Sequence, residues 1–240
     1  MCMGPTHAAW GAVAGAAYGE AAGLPPEHTA LLTVFTAGLA VLPDIDHLRA
    51  TMARSFGFLT WCFAWLVGKI ARGHRMGTHS LLGAGILTGL AMAAVHWRND
   101  IAGRIGLCFL LSLTFAAVFY VTKVKRFGLH KHAADAVAIG LAILLAFTGW
   151  GLALVGIATL LGCLAHIAAD MLTKERCPLL FPLSRIRFGL LPEDLSFTTD
   201  TWPEHRIVAP LALATLALLA FNAVAPGAEL AAYTNIMHAI

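Results

Sequence analysis

Four short stretches of this sequence place histidine and aspartate at spacings suited to holding a cation. His7 stands near the amino terminus. Leu42-Pro43-Asp44-Ile45-Asp46-His47 closes one apolar run, His74-Arg75-Met76-Gly77-Thr78-His79-Ser80 precedes another, and His166 and Asp170 sit at i and i+4 near the end of a third. An i, i+4 pair projects from one face of a helix. Pro43 disfavours helix at Leu42, so Asp44 and Asp46 are expected on an extended turn, their carboxylates pointing the same way. Carboxylates that close are unfavourable unless a proton or cation neutralises one. Imidazole mixed with carboxylate suits zinc, manganese or iron, whereas calcium and magnesium prefer all-oxygen sites. Thr78 and Ser80 flank His79, placed to orient its ring or to cap the helix that follows. Taken singly, His7 or His79 reads as an ordinary helix-end residue. Asp170 is harder to dismiss, because an ionisable group inside an apolar run is costly and usually functional.

Such residues meet only if the elements between them fold back repeatedly, and the composition says in what medium. Of 240 residues, 59% are hydrophobic and 12% charged, half the charge of a soluble domain at about 25%. So few charges cannot cover a water-exposed surface, and an all-α, multi-pass transmembrane bundle follows, with about six to seven spans of ~20 apolar residues each. Candidate spans are 80–97, 105–122 and 207–225, and 133–172 divides into two at Gly149-Trp150-Gly151. Residues 6–23 carry Gly11, Gly15 and Gly19 in register, a small-residue face that favours close helix packing. Leu24-Pro25-Pro26 ends that helix, and 29–42 returns to Pro43. Residues 55–68 reach only ~21 Å as a helix at ~1.5 Å per residue, short of a hydrocarbon core of ~30 Å. They are therefore expected as a re-entrant or interfacial segment.

Charge tests this path. With 55–68 not spanning, every Lys and Arg except Arg98 and Arg104 falls on one side of the membrane, which the positive-inside rule makes cytoplasmic. All the His and Asp stretches end on that side. Residues 1–225 then form a single membrane-embedded domain with a long loop at 173–206, followed by a tail at 226–240. The basic loops suit anionic headgroups, and His130-Lys131-His132 on the same side reads equally as a headgroup contact. His28, His96, His205 and His238 receive no role. The five cysteines, Cys2, Cys62, Cys108, Cys163 and Cys177, show no CxxC spacing and read as small core residues, not as a disulfide frame. The amino terminus lacks the charged region and cleavage site of a removable signal peptide.

The motifs LPDIDH at 42–47, HRMGTHS at 74–80, and HxxxDxxT at 166–173 followed by LLFPLS at 179–184 resemble the YdjM-like family. That family comprises bacterial inner-membrane proteins described as metal-dependent hydrolases and as LexA-associated. It is in turn similar to the zinc-dependent phospholipase C and P1 nuclease group, all-helical enzymes that cleave phosphate esters with clustered His and Asp. The chain departs from the pattern in having Met76 directly after the His-Arg pair and Arg176 where the family tends to have Gly. The resemblance implies His7, Asp44, Asp46, His79, His166 and Asp170 as ligands of one or two divalent ions, zinc foremost. It also implies hydrolysis of a phosphate ester in a membrane lipid or lipid-linked substrate. Asp46 is then the expected general base, exchangeable with Asp44, and Arg75 the residue that steadies phosphate oxygens. A bound ion would bring water toward a pKa of ~7. A LexA-type partner follows from the resemblance alone, and direct nucleic-acid binding is not expected. The alternative class is a membrane scaffold or protein-binding module whose metal is structural, and an ion-relay transporter ranks below both.

Overall fold

Small residues decide how the first helices meet. The computed structural model describes residues 4–122 and 131–224, and it begins with α1 (Gly4–Ala21) and α2 (Pro26–Leu39) as an antiparallel pair. Gly15 of α1 lies so close to Thr36 and Thr33 of α2 that a Cβ there would overlap both. Pro25 and Pro26 make the turn, with Pro26 in the first turn of α2, where a missing N–H costs nothing.

From α2 the chain enters a short 3-10 helix, Leu42–Asp46, and a second, Met52–Arg54, before α3 (Phe58–Ile70). A one-turn 3-10 helix, Gly77–His79, leads into α4 (Leu81–His96), followed by α5 (Ile101–Val121), α6 (Lys131–Thr148) and α7 (Val155–Met171). Gly149 and Gly151 both take positive φ, 76° and 70°, and this left-handed backbone, open to glycine, turns α6 tightly back into α7 where Gly149-Trp150-Gly151 was expected to divide the run. A π-helical turn, Glu204–Val208, opens α8 (Ala209–Val224). No strand forms among the described residues, only isolated bridges pairing Thr173 with Phe197 and Cys177 with Phe188. The all-α expectation holds.

α2 is the centre. Its Leu32, Phe35 and Leu39 are fully buried, α1 lies on one flank, and Gly162 of α7 and Gly38 facing Thr114 of α5 bring those helices to backbone contact. Close approach of this kind supplies van der Waals contact where helices cannot gain from leaving water. The outer faces of α3, α4 and α8 expose Phe58, Leu59, Trp65, Leu82, Leu90, Leu213 and Phe221, a surface that suits lipid rather than water.

Among the described residues, four apolar helical segments are long enough to cross a bilayer: Pro26–Asp46, Ile101–Val121, Leu152–Met171 and Glu204–Ala223. α3 and α4 and the segment His132–Thr148 are shorter apolar helices. With 13 residues, α3 reaches ~20 Å, as short as expected of residues 55–68. Its Gly68 packs on the Asp46 carbonyl, where a Cβ would stand 2.7 Å from the oxygen. The loop at 173–206 is pinned to the bundle by Leu190 N–H to the Met171 carbonyl (2.9 Å), Lys174 N–H to Phe197 (3.1 Å) and Leu81 N–H to Leu179 (3.0 Å). The tail at 226–240, Lys123, Lys125, Arg126 and His130 lie outside the described residues.

Candidate metal centre

All six residues named as ligands from the sequence come together. His7 in the first turns of α1, Asp44 and Asp46 on the 3-10 helix after α2, His79 just before α4, and His166 and Asp170 in the last turns of α7 are all buried. α7 presents His166 and Asp170 on one face, as their spacing requires. Ser80 caps α4, accepting from the Gly83 N–H at 3.0 Å; its own backbone is extended and joins α4 to the 3-10 turn that holds the buried His79.

The two aspartates of the 42–47 motif behave differently from expectation. Their segment is a 3-10 helix, not an extended turn. With about three residues per turn, positions i and i+2 point to different sides, so the carboxylates separate. Asp44 Oδ1 faces His79 Nε2 at 3.4 Å and His166 Nε2 at 3.6 Å. Asp46 instead accepts from His74 Nδ1 at 2.7 Å and from the Thr78 hydroxyl. Pro43 sits at the start of the 3-10 turn, where it is tolerated, and this is why it failed to enforce an extended chain.

Ring nitrogens decide what the centre holds. His166 Nδ1 donates to the Ala40 carbonyl at 2.7 Å, so in the neutral ring Nε2 carries the lone pair. The Thr78 hydroxyl gives its one proton to Asp46 and must therefore accept from His79 Nδ1, 2.9 Å away. That leaves His79 Nε2 with a lone pair as well. The two Nε2 atoms face each other at 3.0 Å. Asp170 Oδ2 lies 3.6 Å from each, and Asp44 Oδ1 completes a second triangle on the same edge. Neighbouring donors on one tetrahedral ion with bonds of ~2.0–2.1 Å are about 3.3 Å apart, so these separations fit a shared cation.

Lone pairs and carboxylates so placed, with Asp44 Oδ1 and both His7 nitrogens lacking hydrogen bonds, repel unless a cation or proton sits among them. Among the described residues, three donor groups are close enough together to hold an ion: His7, His166 and Asp170; Asp44, His79 and His166; and Asp46, His74 and His79. His7 Nε2 is 3.4 Å from Asp170 Oδ1, and its ring stacks on His166 with centroids 3.7 Å apart.

His74 is the residue that the sequence reading passed over. It opens the 74–80 motif, and its place beside Arg75 is the signal in the sequence that points to it. Burial works against its charged form, yet the hydrogen bond and charge of Asp46, with Asp44 and Asp170 behind, hold its pKa above the usual value near 6.5. Neighbouring His47, with ring centroids 4.7 Å apart, is held below it by burial and by His74.

Arg75 is 2% exposed. Its Nη2 binds Asp170 Oδ1 at 2.9 Å, and its Nη1 reaches Thr173 Oγ1 at 3.3 Å and Glu175 Oε2 at 2.9 Å. Its φ of 57° is left-handed, costing a non-glycine residue roughly 1–2 kcal/mol, a strain these charge-assisted bonds offset. Arg176, standing where the resembling family tends to have Gly, likewise has φ 53°. His28, His96 and His205 lie apart from the centre, His205 pairing with Asp200 at 2.8 Å.

No curated protein and no solved structure matches this chain. Residues 1–228, by contrast, match a family described as YdjM inner membrane protein. That match spans every helix and every donor of the centre, and with it the apolar bundle and the recurring His and Asp motifs resolve into one assignment: the chain belongs to the YdjM family of inner membrane proteins.

Proposed function

We propose that this protein is a membrane-embedded, metal-dependent hydrolase acting at the cytoplasmic face on a phosphate ester of a lipid or lipid-linked substrate. The observation that carries the reading is the facing pair of imidazole lone pairs, His79 and His166 Nε2 at 3.0 Å, with carboxylate oxygens of Asp44 and Asp170 beside them. Such a donor set suits zinc, in one or two ions, and agrees with the resemblance to zinc-dependent phospholipase C. A bound ion of this kind supplies Lewis acidity toward water and a phosphoryl oxygen.

The chain's own residues do the rest. Ala40 and Thr78 fix the two ring tautomers, so the donors need no rearrangement. Asp46, held by His74 Nδ1 at Oδ1 and by the Thr78 hydroxyl at Oδ2, is the general base, and His74, with a side chain 26% exposed, orients its carboxylate from the solvent side. Arg75 turns Nη2 to the centre through Asp170 and Nη1 toward the half-exposed Glu175, the side from which a phosphate would approach. The basic loops draw anionic headgroups to that face, and the positive-inside asymmetry supports its cytoplasmic orientation.

The complete burial of His7, His79, His166 and Asp170 favours one other reading, a closed structural metal site in a scaffold. Metal analysis of purified protein, with a panel of phospholipid and phosphate-ester substrates, separates the two. Hydrolysis and bound metal that both disappear in Asp44→Ala and His166→Ala support the enzyme. Metal without hydrolysis favours the scaffold, and unchanged metal in both variants sinks the site.

A further inference from the structure

Arg75 presents an arrangement that the metal centre does not explain. One half of its guanidinium is committed inward, Nη2 to the fully buried Asp170 at 2.9 Å. The other half faces outward, where Nη1 holds the carboxylate of Glu175 at 2.9 Å although the Glu175 side chain is 56% exposed. A buried guanidinium capped by a solvent-reaching carboxylate is a cation whose outer valence is filled by a movable anion. The backbone makes the cap replaceable. Arg75 is fixed by Asp170 at 2.9 Å and by Thr173 Oγ1 at 3.3 Å, whereas the Glu175 side chain that meets Nη1 reaches solvent.

We infer that Arg75 Nη1 is a binding site for a phosphate monoester group and that Glu175 is its built-in competitor. The carboxylate occupies the position of the phosphate oxygens until a phosphate displaces it. Guanidinium geometry matches both anions, but a phosphate monoester carries up to two charges against one for the carboxylate, so exchange favours the phosphate. Glu175 then does two things. It holds the outward Nη1 of Arg75 while Nη2 stays paired with Asp170, and it sets a threshold that weakly charged anions do not pass. This deepens the hydrolase reading by naming the anionic group recognised and the residue that regulates its entry, and it rests on that reading only for the link to turnover.

The test measures binding without turnover, on the full chain in detergent as purified and again after chelation. Inorganic phosphate and a short-chain phosphatidate in micelles are titrated into wild type, Glu175→Gln and the control Glu193→Gln, which removes the same charge at another exposed site of the same loop. If the cap is closed most of the time, freeing Arg75 raises the competent fraction and tightens binding about fivefold. The expected result is that gain in E175Q, absent in E193Q, and retained without metal. Equal gains for both probes support a phosphate site blind to the tail, and a larger gain with phosphatidate supports a headgroup site. Binding in E175Q equal to or weaker than wild type overturns the inference, as does an equal gain in E193Q. A gain in binding with no hydrolysis of any substrate defeats the hydrolase reading alone. Hydrolysis with binding unchanged in E175Q defeats this inference alone.

Discussion

Thr78→Val tests the central geometric argument, because it removes one hydroxyl and almost no volume. Thr78 is 6% exposed, and its oxygen joins His79 Nδ1 to Asp46 Oδ2. Valine leaves a buried ring N–H and a buried carboxylate oxygen each short of a partner, at ~1–3 kcal/mol apiece. The two groups already lie 3.6 Å apart, and a small shift lets them bond directly and recovers part of that cost. The net expectation is therefore near 2 kcal/mol of lost stability, about the energy of one unsatisfied group. Loss of a group that orients a ligand ring typically weakens metal affinity about 10–100-fold, and the partial recovery places this variant near tenfold. Zinc affinity measured by chelator competition, with thermal melting of the metal-free protein alongside, reads both numbers. Thr78→Ser restores the hydroxyl and should recover most of the affinity. If Thr78→Val binds zinc within twofold of wild type while the serine variant is no better, the tautomer argument for His79 Nε2 is wrong, and with it the facing lone pairs.

Four further outcomes follow from the same structure. Chelation should lower the melting temperature of wild type and leave His166→Ala unmoved, since an ion at about 100 times its Kd stabilises by ~2.7 kcal/mol. Gly15→Ala forces a methyl into Thr36 and Thr33 and should cost ~1–3 kcal/mol as overpacking, whereas Gly85→Ala, with nothing within 4 Å, should be neutral or stabilising by up to ~1 kcal/mol. The raised pKa of His74 means that its pairing with Asp46 adds stability in full below the unfolded value near 6.5, and that this is lost as pH rises through the folded value. Melting of metal-free His74→Ala should lack that decline on the alkaline side, and a decline identical to wild type would remove His74 as its source. In a background without native cysteines, a membrane-impermeant maleimide should label Glu175→Cys in inverted vesicles and not in spheroplasts; the opposite pattern would put the centre on the other face.

Much of the site was legible because its chemistry is written in short local patterns. An ionisable group inside an apolar run is too costly to be incidental, so Asp170 stood out, and the i, i+4 spacing alone placed His166 on the same face. Ser80 before a long apolar stretch announced a helix start. The double-glycine turn between α6 and α7, the small-residue face of α1 and the shortness of α3 all followed from glycine placement and segment length. What failed was the local geometry at Pro43, where one residue's preference was asked to fix its neighbours. Proline is compatible with an extended turn and with the first turn of a 3-10 helix alike, and packing of α3 through Gly68 against the Asp46 carbonyl accompanies the second.

By itself, then, the sequence determined the medium, the helical class and which residues would meet, because hydrophobic burial and the cost of stray charge act on residue type and spacing. Only the tertiary structure decided what each residue faces. It separated Asp44 from Asp46, enlisted His74, turned both Nε2 atoms inward through the Ala40 carbonyl and the Thr78 hydroxyl, and set Arg75 between Asp170 and Glu175. Those partners lie far apart along the chain, from the Ala40 carbonyl to His166 and from Arg75 to Asp170. A hydrogen bond depends on direction within tenths of an ångström, and that direction is fixed by how helices pack, not by the order of residues along any one of them.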